Sequence, residues 1–321
     1  MLRLSLFLTF VLLASAAPAA ADDQLRPSAN ERLLKSWLQN MLWHHRFSHE
    51  EIRQVTGLSE EELESKLEQF EIHSDNRPAR PKDRLLLLPY PGGRHPRIGF
   101  LEGAIEPQRE TKLSVFCPWD DHSYVVLDVP EAIWSDLGLT YLAHTHIDTV
   151  WTRQEIELEK LEWKSTKDRG FEMVRRLPNG IEFGTKAIAK RDHIAMDMWL
   201  KNGTDKKLAD LRVQNCAMLK AAEGFQQQTN ANKVFDRGYA IASSAIPASK
   251  DKRWIITAWD PVHRPWANDK CPCLHSDPKF EDCSPGETKR LRGWFSFYEG
   301  SDIRSEIDRI EATGWRKPPA R

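Results

Sequence analysis

The chain has 321 residues, 40% of them hydrophobic and 29% charged, which is enough apolar material for a full-sized core and the wrong balance for a disordered chain. Lys and Arg number 46 against 47 Asp and Glu, a formal net charge of −1, so no global basic field exists to hold a phosphate backbone, and nucleic acid is excluded as the expected partner. A mean hydropathy of −0.57 with a single early apolar run excludes a multi-spanning membrane protein.

That run opens the chain. Arg3 is an early cation, Leu4 to Ala14 are mostly apolar, and Ala19-Ala20-Ala21 precede Asp22-Asp23. The pattern is that of a secretory signal peptide over residues 1–21, too short in its apolar core for a stable anchor. The expectation is a secreted or periplasmic protein with no membrane span after cleavage.

Residues 22–76 read as a small N-terminal helical segment. Leu33, Leu34, Trp37, Leu38 and Met41 share one helical face, and Ile52, Val55, Leu58, Leu63, Leu67 and Phe70 mark two further short helices. Gly57 breaks these two apart, and Ser59 with Glu62 forms a capping box opening the second. The spacing is that of a helix-turn-helix, but Glu50, Glu51, Glu60, Glu61, Glu62, Glu64 and Glu68 would repel phosphates. The expected role is a helical hairpin packed on a larger domain.

A turn-rich linker follows over residues 77–93, ending in Pro89-Tyr90-Pro91-Gly92-Gly93. Residues 94–300 then change to period two. Leu113–Phe116, Tyr124–Val129, Ile156–Trp163, Phe171–Leu177, Ile181–Ala187, Ile194–Leu200, Leu208–Val213, Trp254–Trp259 and Trp294–Tyr298 all read as strands. Pro178-Asn179-Gly180 offers the Asn-Gly pair of a type I′ hairpin, and Asn202-Gly203-Thr204-Asp205 is expected to turn the chain back into Leu208–Val213. The fold class is mainly β, an antiparallel β-sandwich of supersandwich type with a helical N-terminal segment. Ile303, Ile307 and Ile310 place a short amphipathic helix in the C-terminal stretch 301–321.

Export puts Cys117, Cys216, Cys271, Cys273 and Cys283 where disulfides persist, and five is an odd number. Three of them crowd together with His275, so the local choice lies between a Cys271–Cys283 disulfide, the preferred reading, and a thiolate and imidazole metal site.

Tyr141-Leu142-Ala143-His144-Thr145-His146-Ile147-Asp148 carries the most suggestive chemistry. In an extended strand His144 and His146 point to one face, able to act as acid/base groups or as two ligands of a divalent metal, the one cofactor for which there is a case. A third ligand would come from His122, His263, His275, Asp148 or Glu157. Arg94-His95-Pro96-Arg97, with Glu102, Glu106, Arg109 and Glu110, forms a dense polar stretch suited to anion contact. Arg94 and Arg264 are the candidate anion contacts, and Trp151 and Trp266 the candidate stacking platforms among twelve tryptophans. No Gly-rich phosphate loop, G-x-S-x-G elbow, H-E-x-x-H or dinucleotide fingerprint occurs, which disfavours phosphoryl transfer, α/β-hydrolase chemistry and NAD chemistry.

The stretch Ile194 to Val213 running into Asn215-Cys216, and the closing Gly293-Trp294-Phe295-Ser296-Phe297-Tyr298-Glu299-Gly300, resemble sheet segments of carbohydrate-active β-sandwiches such as the galactose-mutarotase-like superfold. Mutarotases pair catalytic histidines with a late glutamate, so the resemblance implies His144, His146 and Glu299 in those roles. The expected function is an exported protein that binds or processes an oligosaccharide or polysaccharide. The alternatives are a metal-binding protein using His144 and His146, and a non-catalytic envelope interaction protein.

Overall fold

Alternating apolar positions build two antiparallel sheets that close on a shared core. The computed structural model describes residues 25–97, 109–143, 147–245 and 252–317, and fifteen strands and four short α-helices lie within them. Residues 1–21, and with them the expected signal peptide, lie outside the described residues. The seven-stranded sheet runs from β1 (Leu87–Pro89) through β2 (Lys112–Phe116), β3 (Tyr124–Ser135), β9 (Val213–Met218) and β14 (Cys273–Pro278) to β13 (Val262–Trp266), with β4 (Gly138–Leu142) also paired to β3. The eight-stranded sheet runs β10 (Lys233–Asp236), β11 (Tyr239–Ser243), β12 (Lys252–Asp260), β15 (Thr288–Gly300), β8 (His193–Lys201), β7 (Glu182–Ala189), β6 (Gly170–Arg176) and β5 (Lys164–Ser165).

Leu113, Val125, Leu127 and Ala217 from the first sheet meet Phe183, Met198, Ile255 and Phe295 from the second in one buried cluster, so the expected sandwich is the architecture found. Two glycines let large indoles lie across a neighbouring strand. Gly293 pairs with Trp259 and Gly184 with Trp199, and a Cβ on Gly293 would stand 2.7 Å from the Trp259 ring. Trp259 is only 1% exposed and has nowhere to retreat. Gly293→Ala is expected to cost about 1–3 kcal/mol through overpacking, read by urea melts; a variant as stable as the wild type would show the indole free to shift.

The opposite faces of both sheets are covered. On the eight-stranded sheet Ile307 and Ile310 of α4 (Ile303–Ala312) pack over Tyr239, Trp254 and Trp294. On the seven-stranded sheet the cover near Tyr90, Phe116 and Tyr124 is the N-terminal segment: α1 (Glu31–Gln39), a π turn (Asn40–His44), α2 (His49–Thr56) and α3 (Glu60–Gln69). The Ser59 capping box forms, and Ser48 with Glu51 makes a second. No described helix is long and apolar enough to cross a membrane.

Three expectations change. Ile156–Trp163 contains no strand: Ile156, Leu158 and Leu161 pack on the core while the backbone stays outside the sheets, with Leu161 N–H donating to Glu110. Leu208–Val213 does not return alongside the preceding strand, because both sides of β8 are occupied by β7 and β15; the chain crosses instead to the other sheet as β9. The Pro178-Asn179-Gly180 turn has positive φ at Gly180 alone: the Gly180 N–H donates to the Leu177 carbonyl, so the turn is centred on Pro178-Asn179, and the fixed negative φ of proline at its first central position excludes the I′ geometry. Inside the stretch expected to be linker, β1 already pairs with β2.

Candidate functional site

Strand β14 reads Cys273-Leu274-His275-Ser276-Asp277, and its period of two sends Leu274 into the core and Cys273 to the outer face. His275 and Asp277 share that outer face with Cys273. Pairing extends the pattern sideways: Lys112 lies opposite Asp128, Asp128 opposite Cys216, and Trp266 opposite His275. The β9–β14 register matches Cys273 with Met218 and Leu274 with Ala217, and one further residue sets His275 beside Cys216. A single row of polar and aromatic side chains thus crosses five strands of the outer face.

Glu131 enters this row through a bulge, for the register of β3 on β9 slips between Asp128 and Ala132. Its carboxylate pairs with the Arg97 guanidinium and accepts from Gln214 Nε2 at 2.8 Å. Arg97 Nη2 also lies 3.9 Å from Cys216 Sγ. Arg97 and Glu131 side chains are 7% and 3% exposed, so this is a buried ion pair, a geometry that is expensive to break.

His275 Nδ1 donates to the Asn215 carbonyl at 3.0 Å and lies 3.8 Å from Glu131 Oε2, while Nε2 sits 3.3 Å from Cys273 Sγ. A carbonyl only accepts, so Nδ1 carries a hydrogen and Nε2 shares one proton with the thiol. A hydrogen bond from Cys216, then the charge of His275, hold the Cys273 thiol well below its ordinary value, although burial opposes this. Burial works against charge on His275 too, yet Cys273 raises its pKa. Burial pushes the Cys216 thiol up. The His275 ring is fixed from above by Trp266, stacked 3.9 Å away at 10°. Asp277 in turn accepts from Trp266 Nε1 at 2.6 Å and Arg264 Nη2 at 3.1 Å.

The row opens into a cavity of about 130 Å³ walled by Arg97, Glu131, Trp134, Trp266, Cys273 and His275. A neighbouring cavity of about 170 Å³, lined by Arg212, His263, Arg264 and Asp277, shares Trp134 and Gln214 with it. Chemically the first cavity offers a carboxylate, an imidazole, a thiol of lowered pKa and an indole wall. Such a set can activate a nucleophile, bind a soft metal ion or grip a polar ring.

The expected site residues divide. His144 and His146 lie outside the described residues, as do Glu102 and Glu106; near the histidines in sequence, Leu142 and Ile147 line the first cavity while Ala143 packs in the core. Trp266 lines the first cavity and Arg264 the second. Arg94 is instead a structural tie, away from both cavities: it donates to Glu51 at 2.6 and 2.9 Å and to the carbonyls of His45 and Arg46, above the Phe47 ring, and its charge is matched by the Glu51 carboxylate. Trp151 is a core residue, 5% exposed, donating to the Thr140 carbonyl at 2.8 Å. Glu299 lies on the eight-stranded sheet, 3.2 Å from Arg253 Nε, and among the described residues lines neither cavity.

The Cys271–Cys283 disulfide does not form. No disulfide joins the five cysteines, because Cys271 packs on the outer face of the seven-stranded sheet and Cys283 in the core beneath it, where its Sγ donates to the Glu287 carbonyl at 3.3 Å.

Sequence reasoning missed Glu131 and Cys216 as members of the site. Two signals are present: Cys273, His275 and Asp277 stand at strand period, and Asp128 with Glu131 lies inside an otherwise apolar run, where a buried carboxylate must find a partner.

No protein-family model and no curated protein matches the chain. Among solved structures it is similar to a chain provisionally named a kojibiose phosphorylase from the human microbiome, with TM-score 0.41, 7% identity and coverage of 74% of this chain and 36% of that one. It is also similar to the heparan sulfate lyase HepC of Pedobacter heparinus, with TM-score 0.29, 9% identity and coverage of 60% and 34%. A third is the Slr1438 protein of Synechocystis, with TM-score 0.30, 9% identity and coverage of 68% and 96%. The chain therefore spans about a third of the length of the phosphorylase and of the lyase.

Proposed function

We propose that this protein binds or processes a carbohydrate in the paired cavities on the outer face of its seven-stranded sheet. The observation that carries the reading is the shared wall: Trp134 and Gln214 belong to both cavities, with Glu131 in one and Asp277 in the other. An indole face meets the C–H face of a sugar ring, and flanking amide and carboxylate oxygens take its hydroxyls. Arg264 is proposed as a substrate contact in the second cavity; Trp266, stacked on His275 and lying under the Arg264 guanidinium, has no free ring face to act as the stacking platform expected of it and only walls the first cavity. Glu131, held by Arg97 and Gln214, sets the negative charge at the cavity wall rather than acting on the sugar itself. His144 and His146, between the cavity-lining Leu142 and Ile147, are proposed as the acid/base groups. Export belongs to the same proposal and rests on the residue pattern of 1–21.

The test is a thermal-shift screen of the protein against neutral and acidic oligosaccharides, repeated with Trp134→Ala. A ligand at about 100 times its Kd adds about 2.7 kcal/mol, and so raises the Tm of a chain this long by about 4 °C. The expected result is a shift for one sugar class that disappears in Trp134→Ala. A flat response across the panel, or a shift that survives the substitution, refutes the assignment.

A further inference from the structure

We infer that Cys216, Cys273 and His275 hold a zinc ion, with its fourth coordination position open to the cavity. The three ligand atoms all lie within 4.8 Å of one another, so small side-chain adjustments bring them to the separations of about 3.5–3.8 Å that Zn–S near 2.3 Å and Zn–N near 2.0 Å set around one tetrahedral zinc. Zinc binding releases two protons, the one shared between Cys273 Sγ and His275 Nε2 and the one on the Cys216 thiol.

The surroundings fit a metal centre in three independent ways. The non-ligating nitrogen of His275 donates to the Asn215 carbonyl at 3.0 Å, the outer-shell contact that fixes ring orientation and tautomer in histidine–zinc sites. Trp266 stacked on the ring closes off its other movements. Charge also balances: two thiolates cancel the ion, and Arg97 is cancelled by Glu131, so a loaded site buries no net charge. Glu131 faces Nδ1, the nitrogen away from the ion, and is therefore an outer-shell group. Three protein ligands beside an open cavity is the arrangement of zinc sites that keep an exchangeable position, whereas structural sites close all four.

This site differs from the one expected at His144 and His146, and it does not depend on the carbohydrate reading, because a protein that binds no sugar can still bind zinc. The alternative fate of two neighbouring thiols outside the cytoplasm is a Cys216–Cys273 disulfide.

The experiment uses the full protein purified without chelator or reductant. Metal analysis is expected to find one zinc per chain, and replacement by cobalt to give the thiolate-to-cobalt charge-transfer band and visible bands of a tetrahedral site. Cys216→Ala and His275→Gln are each expected to weaken cobalt binding at least about a hundredfold, while Cys117→Ala, a buried thiol outside the cluster, leaves it unchanged. Should the first two variants fail to fold, the wild-type cobalt spectrum decides by itself. Substoichiometric zinc after reconstitution, a cobalt spectrum without sulfur ligation, or a Cys216–Cys273 disulfide in the peptide map overturns the inference. Sugar binding is measured separately on the zinc-loaded protein, so failure of either assignment is read without the other.

Discussion

Lys112→Met is expected to destabilise the protein by about 3–5 kcal/mol, the usual cost of removing one partner from a buried ion pair. Lys112 Nζ lies 3.1 Å from Asp128 Oδ2, and both side chains are fully buried at the inner end of the row that leads to the site. Burial raises the Asp128 pKa to about 6 even with the lysine beside it, Glu131 adding to the effect, so taking the cation away raises it further. At neutral pH the folded variant must then either bury a less compensated carboxylate or take up a proton, and both cost free energy. The loss is accordingly smaller at pH 5, where the carboxyl is already protonated. Lys112→Met/Asp128→Asn should recover most of the stability, because the pair and not the lysine alone is what folding must satisfy. Urea melts of the two single variants and the double variant measure this coupling. A loss under about 1 kcal/mol for Lys112→Met, or strict additivity in the double variant, would sink the argument.

The second large effect is acid lability centred on His45. Its Nε2 lies 2.8 Å from Ser114 Oγ and its Nδ1 3.3 Å from the Asn40 carbonyl, and its ring packs edge-on against Phe116 and Tyr124. A neutral imidazole satisfies this site: one nitrogen donates to the carbonyl and the other accepts from the serine hydroxyl. Burial is the main reason its pKa falls from 6.5 to about 3. The unfolded chain takes up a proton below pH 6.5 that the folded chain refuses until about pH 3, so stability falls as the pH drops through that window. At pH 5 the loss from this group alone is about 2 kcal/mol. The difference in stability between pH 7 and pH 5 should shrink by about that amount in His45→Gln. An unchanged difference would mean that other groups, such as the neighbouring His44, carry the acid sensitivity. Because His45 joins the π turn to β2, the first structure lost on acidification should be the docking of the N-terminal helices, visible as exchange of their amides before those of the sheets.

The same residues show what was legible without a fold. Trp37, Leu38 and Met41 fall on one face of a helix whatever they pack against, and Ser59 with Glu62 closes its capping box within four residues. Ile194, Met196, Met198 and Leu200 alternate inward as written, which is why the sandwich class could be read directly. These are local signals, fixed by 3.6- and 2-residue periods and by hydrogen bonds between near neighbours. Trp151 and Arg94 misled for the opposite reason: an indole in a turn-like stretch and an arginine in a polar one look free in sequence, but their partners, Thr140 and Glu51, are supplied by the fold.

Sequence by itself determined the class of the protein, its helical N-terminal segment, the period-two core and the chemistry available near His275. The tertiary structure decided which of that chemistry meets. His275 donates to a carbonyl 60 residues away, Cys216 joins it from another strand, and Glu131 reaches them only because a bulge shifts one strand against the next. Register between distant strands is set by how the whole apolar face of each sheet is buried, and a slip of one residue would send Cys216 and His275 to opposite faces. That global constraint leaves no mark within any short stretch of sequence.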